Sequence, residues 1–344
     1  MAYLGMSPAR ARIWAKRICG GDYIETPLAP RIWYWQIERH ITRECPDCQL
    51  VLFETCKLTE RLLARKPGFR IPLWVQLALD TTATFEQLKR ASLRLRDEIP
   101  RTIRKYSLEP EISTSRDDVE EHIERMYIPF ISGRHQESAF LASRESMYGI
   151  FASAELLFVT RDGERIAGVM LHCKNNIASL HYLGVRDNRI EHLKTGCIGA
   201  LYYFALLRSI EKGMHALHFG GTSPFLTDSL TFFKLSFRPA VIPNTFLPNH
   251  FVKLMLRSKT PALLDFLHRN PFISVDDKLA FVRNVYVDSG KIASVKDFDD
   301  VFKKIGCGNI TATQVHATGD TNFIRKCLQS SDKHSQTRIV PYSE

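Results

Sequence analysis

The sequence predicts an α/β (α+β) fold: a mostly antiparallel mixed sheet flanked by helices, with a small N-terminal subdomain and a C-terminal α/β extension. Three observations predict it. Residues 155–185 read as three strands joined by two tight turns. The segment 196–212 that follows is strongly helical and stops at Gly213. A further strand at 214–219 must then lie beside the meander.

The 344 residues, 44% hydrophobic and 24% charged, can bury a sizeable core in one large domain or two ordinary ones. The longest apolar run, Ile198 to Leu207, is about half of the ~20 residues a spanning helix needs. The basic start is followed by no apolar segment with a small-residue cleavage site. No transmembrane segment and a cytoplasmic location are therefore expected. The eight cysteines, Cys19, Cys45, Cys48, Cys56, Cys173, Cys197, Cys307 and Cys327, are expected as thiols and not as a disulfide scaffold. A formal charge of +10 favours an anionic partner without selecting among nucleotide phosphates, nucleic acid, polysaccharide and a membrane surface.

Residues 1–36 mix Arg and Lys with Trp14, Trp33, Tyr34 and Trp35, carry Pro27 and Pro30, and read as an irregular arm. From Leu50 to Leu79 the runs LVLFETCKL, ERLLARK and IPLWVQLAL suggest strands of a small subdomain, broken at Pro67, Gly68 and Pro72. A helix begins near Thr84 with Phe85, Leu88, Leu95 and Ile99 on one face. The other face carries Lys89, Arg90, Arg94 and Arg96, with Arg101, Arg104 and Lys105 beyond. A second helix, from Arg116 to about Ile128, starts acidic as the helix dipole favours.

The meander comprises ELLFVTR (155–161), a turn at Asp162 and Gly163, RIAGVMLHCK (165–174), a turn at Asn175 and Asn176, and ASLHYLGV (178–185). After the strand MHALHF (214–219), a short helix is expected within Pro224 to Lys234, then strands at 236–241 and 279–287. A helix near Asp297 to Ile305, a strand from Ile310 to Val315 and a helix from Asn322 to Leu328 complete the pattern. The last sixteen residues are polar and read as disordered. The boundaries are thus 1–92 for the arm and N-terminal subdomain, 93–290 for the central domain, 291–328 for the extension and 329–344 for the tail.

Chemistry concentrates in the loop RDNRIEHLKTGCIGA (186–200) that joins the third meander strand to the long helix. Its glycines let backbone approach a ligand, and the first N–H groups of a helix have no intrahelical partner, which suits a pyrophosphate.

The strand order of 155–219 and this loop resemble the centre of the acyl-CoA N-acyltransferase (GNAT) superfamily, whose phosphate pattern is Arg or Gln, two residues, Gly, one residue, Gly or Ala. Lys194, Cys197 and Gly199 stand at the matching positions. LHFGGTSPFLTDSLTFFKLSF (217–237) resembles the branch that includes Fem-type peptidoglycan-bridge aminoacyltransferases and polysaccharide-locus acetyltransferases, as do IPRTIRKYSLEPEIS (99–113) and RMYIPFISGRH (125–135). The resemblance implies donor binding by Val185, Lys194, Thr195, Gly196, Cys197, Ile198, Gly199 and Ala200. It also implies acetyl-CoA or another acyl-CoA as donor, no metal, and an amine acceptor on a sugar, amino-sugar polymer, peptide or metabolite, with a setting in cell-envelope or polysaccharide biosynthesis.

Attack of an amine on a thioester needs an N–H aimed at the developing oxyanion and groups that move protons. Backbone N–H groups around Tyr182 to Val185 are the expected oxyanion donors. His181, Tyr182, Asp228 and Lys234 are the catalytic candidates, with His218 beside them. Strand alternation places His181 and Tyr182 on opposite faces, and puts His218 on a face with Ala216 and Met214 that reads as core.

Other readings stay open. Aminoacyl transfer from charged tRNA would use the basic stretch 89–105 and is the setting in which nucleic acid is a partner. A non-catalytic binding protein could retain the fold. His40, Cys45, Cys48 and Cys56 form an incomplete match to a zinc site.

Overall fold

The computed structural model describes residues 1–5, 8–20, 23–26, 32–56, 68–135, 141–243, 250–258, 260–276, 280–292, 294, 296, 297, 299, 310, 312–318, 320–329 and 337–341. The run expected at 60–66 and most of the helix expected near 297–305 lie outside them. The chain forms two compact units, Met1–Val75 with Thr222–Phe232 and Pro243–Glu344, and Gln76–Gly221 with Phe233–Ile242.

The N-terminal segment is not an irregular arm. It holds β1 (Ala2–Leu4) and α1 (Pro8–Cys19), followed by α2 (Ile37–Glu44), β2 (Leu50–Cys56) and β3 (Phe69–Pro72). Trp14 of α1 packs into a core with Leu50, Leu52 and Ile71 and meets Phe225 edge to face at 5.1 Å. Among the described side chains of α1, the apolar ones that turn inward are Trp14, Ala15 and Ile18, too few for a helical period to stand out among the arginines. β2 is covered on both sides: Leu50 and Leu52 face that core, whereas Val51 and Phe53 face a second cluster with Ile37 and Ile41. A strand buried on both faces reads as the continuous run LVLF.

The second unit begins within β4 (Val75–Asp80) and continues into α3 (Phe85–Ala91), which opens on a capping box between Thr84 and Gln87. A π-helical turn, Arg94–Glu98, leads into α4 (Ile99–Tyr106) and β5 (Leu108–Ser113). The acidic helix then runs as α5 (Arg116–Glu121), a π-helical stretch His122–Tyr127 and α6 (Ile128–His135), with α7 (Arg144–Phe151) after it. The meander forms as expected: β6 (Ala154–Arg161), β7 (Glu164–Lys174) and β8 (Ile177–Val185) are successive antiparallel strands, with β5 added antiparallel to β6.

The short α8 (Ile190–Lys194) and α9 (Cys197–Glu211) connect β8 to β9 (Ala216–Thr222), which runs parallel to β8. With α10 (Ser229–Leu235) and β10 (Ala240–Ile242), the sheet order is β10-β4-β9-β8-β7-β6-β5. One face packs on α9, where Glu155 pairs with Arg208 at 2.7 Å and Lys212 at 3.0 Å. The other buries Leu156, Phe158 and Met170 against Ile123, Met126 and Met147. This mostly antiparallel mixed sheet flanked by helices is the fold class the sequence predicts.

The remaining elements, β11 (His250–Leu256), α11 (Pro261–Arg269), β12 (Phe272–Val275), β13 (Phe281–Asp288), β14 (Thr313–Thr318), α12 (Thr321–Gln329) and β15 (Thr337–Pro341), return to the first unit. Its sheet is ordered β1-β2-β11-β3-β12-β13-β14-β15. β11, from the segment expected in the central domain, lies between β2 and β3, antiparallel to both, and β14 of the expected extension joins the same sheet through β13. β15 falls in the segment read as a disordered tail. It pairs parallel to β14 from Thr313↔Thr337 onward, and its partner strand supplies the order that a five-residue run in polar surroundings cannot. Among the described residues no helix is long and apolar enough to cross a membrane.

Candidate functional site

β8 and β9 share three register pairs, Ile177↔Ala216, Ala178↔Leu217 and Ser179↔His218. Beyond them no pair joins the strands, and the sheet opens toward their C-terminal ends. A crevice at the carboxyl ends of parallel strands is where open α/β sheets bind ligands.

β8 is bulged at this opening. Its register on β7 runs Met170↔His181 and then Gly168↔Gly184, so Tyr182 and Leu183 together face one residue of β7. Tyr182 has φ 54°, a left-handed conformation that costs an aromatic residue about 1–3 kcal/mol and persists only where surroundings enforce it. Its carbonyl accepts from His122 Nε2 at 2.7 Å, and its ring meets Tyr127 edge to face at 5.4 Å.

The bulge also overturns the expected alternation. His181 and Tyr182 do not point to opposite faces; their rings lie 5.8 Å apart. His181 further meets His172 at 5.9 Å, and His172 pairs with Ser153 Oγ at 2.9 Å. Ser179 stands in register with His172 on one side and His218 on the other, so three histidines gather on one face beside the opening. Burial, and then the charge of His172, lower the pKa of His181; burial lowers that of His218. The face carrying Ala216 and His218 is half-buried and is not the core face. Leu217 and Phe219 fill the core, Phe219 against Tyr202 of α9 at 5.0 Å.

Lys234 of α10 is 5% exposed and donates from Nζ to the Gly221 carbonyl at 2.9 Å. A Cβ added at Gly220 would lie 4.0 Å from that Nζ and 3.8 Å from the Leu180 carbonyl oxygen. A buried ammonium therefore sits where β8 and β9 part. Asp228 lies in the other unit, where it caps α10 by accepting from the amides of Leu230 and Thr231, each at 3.1 Å, and pairs with Arg17 at 3.1 Å. His181, Tyr182 and Lys234 are thus brought together, whereas the Asp228 carboxylate is engaged by the start of α10 and by Arg17.

The expected donor loop ends in a helix start. Val185 is buried; Lys194 is exposed; Thr195 is buried and donates to the His192 carbonyl at 2.6 Å. Gly196 has φ 75°, the left-handed turn that starts α9, and the Ala200 amide closes on the Gly196 carbonyl at 3.1 Å. The amides of Cys197, Ile198 and Gly199 precede that first bond. Arg134 exerts its charge on Cys197, whose thiol burial pushes up to about 12 against the amides and the Thr195 hydroxyl that favour its thiolate. Gly199 lies beside α4, where an added Cβ would make an ordinary contact with Ile99 at 3.5 Å. Ala200 is fully buried. Lys194 and Arg134 are the cations that border this helix start, with exposed Arg101, Arg104 and Lys105 on α4.

Two residues escaped the sequence reading. His172 carried the same alternation signal as His181. His122, inside the acidic run DDVEEHIERM, gave no signal of its own, since a polar residue in a charged helix reads as surface.

No protein-family model matches the chain, and none of the curated proteins matches it. Similar solved structures include FemX, with 13% identity, 63% of this chain and 74% of that one covered, and a TM-score of 0.41. L-PGS from Bacillus licheniformis is 16% identical over 68% of this chain and 76% of that one, with a TM-score of 0.39. A tandem GNAT protein from the clavulanic acid biosynthesis pathway is 10% identical over 66% and 69%, with a TM-score of 0.30. At such scores these structures carry no residue-level correspondence.

Proposed function

We propose that the second unit is an N-acyltransferase that moves an acetyl or other acyl group from acyl-CoA to an amine by direct attack in a ternary complex. One observation supports it above the others: the opened β8–β9 pair is bordered by a bulged backbone and by the buried ammonium of Lys234, two kinds of donor suited to an oxyanion. The amine nitrogen attacks the thioester carbon, and the carbonyl oxygen takes up negative charge facing the Leu183 amide and Lys234 Nζ. His181, kept neutral by burial, accepts the proton. Collapse of the intermediate breaks the C–S bond and releases CoA as its thiolate. The first turn of α9, with Lys194 and Arg134, holds the donor phosphates.

The test is thermal unfolding with acetyl-CoA, longer acyl-CoAs and CoA, followed by thiol release in the presence of amine acceptors. At about 100 times Kd, binding adds about 2.7 kcal/mol and raises the melting temperature by several degrees. Lys194→Glu with Arg134→Glu should remove the shift. No shift with any thioester sinks the CoA reading.

A second reading, aminoacyl transfer from charged tRNA, is favoured by the exposed Arg101, Arg104 and Lys105 on α4, the helix that packs on the start of α9 through Ile99 and Thr102. It requires tRNA binding that weakens steeply with salt. Neither ligand binding would leave a non-catalytic role for the fold.

A further inference from the structure

We propose that His122 is a positioning residue that holds the Tyr182 carbonyl and thereby aims the Leu183 amide into the opening between β8 and β9. Its kinetic consequence rests on the acyl-transfer reading; its structural claim does not.

His122 is fully buried in the π-helical stretch His122–Tyr127. A carbonyl only accepts, so the 2.7 Å contact places the ring proton on Nε2. Nδ1 has no hydrogen-bond partner among the described residues. The imidazole is thus kept in the core with one nitrogen unsatisfied, and its other nitrogen makes a single directed bond.

The sheet is shaped to receive it. Gly168 and Gly184 face one another across β7 and β8. A Cβ at Gly168 would stand 2.8 Å from His122 Nδ1, and one at Gly184 would stand 2.5 Å from the Tyr127 nitrogen. A larger residue at Gly184 would meet the main chain of the π-helical stretch, and one at Gly168 would displace the His122 and Phe158 rings. That stretch therefore clamps the bulge three ways: through the glycine pair, through His122 to the Tyr182 carbonyl, and through the Tyr127 ring on the Tyr182 ring. In a trans peptide the C=O and the following N–H point in opposite directions. Holding the Tyr182 carbonyl toward His122 turns the Leu183 amide away from it, and the bulge leaves Leu183 without a register partner on β7. π-helical turns inside α-helices are frequent at functional sites, and here the turn places this histidine.

The test compares wild-type full-length protein with His122→Phe, which keeps the ring and loses the bond, and His122→Gln, whose amide can donate to the same carbonyl. Three readouts are taken: 15N shifts of the His122 ring, amide exchange at residues 182–184, and kcat with KM for acetyl-CoA. The expected results are a ring protonated on Nε2, and exchange at 182–184 about tenfold faster in His122→Phe, the size of one lost buried hydrogen bond. His122→Gln should stay near wild type. kcat should fall at least about tenfold in His122→Phe with KM unchanged, and recover in His122→Gln, a split that general destabilisation would not produce. Wild-type exchange at 182–184 in a folded His122→Phe overturns the proposal. If that variant does not fold, a wild-type ring protonated on Nδ1 overturns it, and one protonated on Nε2 with intact exchange in His122→Gln upholds it. A wild-type protein that neither binds nor turns over acetyl-CoA removes the CoA reading, while the exchange readout still decides the clamp.

Discussion

In the proposed reaction Lys234 and His122 act at the same opening by different routes. The ammonium of Lys234 is buried and already bonded to Gly221, so it is preorganised and costs little reorientation when an oxyanion forms. Replacing it with Met keeps the volume and removes the charge. Lys234→Met is expected to lower kcat about 100-fold or more while the Kd for acyl-CoA changes little. Steady-state kinetics beside a binding isotherm check this; an unchanged kcat would remove Lys234 from the site. The lysine was legible in the sequence through its Phe-Lys segment. Its direction was not, because helix α10 takes its orientation from Asp228 and from packing.

At the scale of elements, the stability of the site depends on how closely a helix lies on a sheet. Gly184 admits the backbone of Met126 and Tyr127, and a methyl group there meets main chain, which cannot swing aside as a side chain can. Gly184→Ala is expected to destabilise the second unit by about 3 kcal/mol or more, at the upper end of overpacking costs. Urea denaturation followed by circular dichroism measures it; a loss under about 1 kcal/mol would show that the π-helical stretch can shift at little cost. The sequence predicted the helix over 116–128 and the three strands correctly, since both signals are local. It did not show that two glycines oppose each other, because register between β7 and β8 depends on a bulge.

For the whole molecule, acid is the condition that tests the buried groups together. Burial lowers the pKa of His122, beside Glu121, and of His316 to about 4 from an ordinary 6.5. Above 6.5 neither state binds the proton; between 6.5 and 4 only the unfolded chain does, so stability falls as pH falls. Each histidine contributes on the order of 3 kcal/mol to that fall. Hydrogen bonds from Arg165 hold Asp118 below its ordinary range. Burial alone would raise Glu121 and Glu155, but Arg186 and Arg165, and Arg208 and Lys212, outweigh it and hold both low. Their stabilisation is present above the ordinary carboxylate range and is lost as pH falls below it. Guanidinium denaturation at pH 7, 5.5 and 4 should show a decline beginning near 6.5, steeper below 4.5, and shallower in His122→Phe. Trp14, Trp33, Trp35 and Trp74 all lie in the first unit, so circular dichroism must accompany fluorescence to see the second.

The sequence by itself determined the elements whose causes are local. The Asp162-Gly163 and Asn175-Asn176 turns adopt the positive φ their residues tolerate and so fix the meander, and the positive φ of Gly196 starts the helix after it. Tertiary structure decided three things: that β11 inserts between β2 and β3, that β15 is ordered by β14, and that His122 reaches Tyr182. Each is a contact between segments far apart in the chain. Hydrophobic period and turn chemistry report on neighbours a few residues away, whereas these pairings depend on which surfaces meet once the chain has folded.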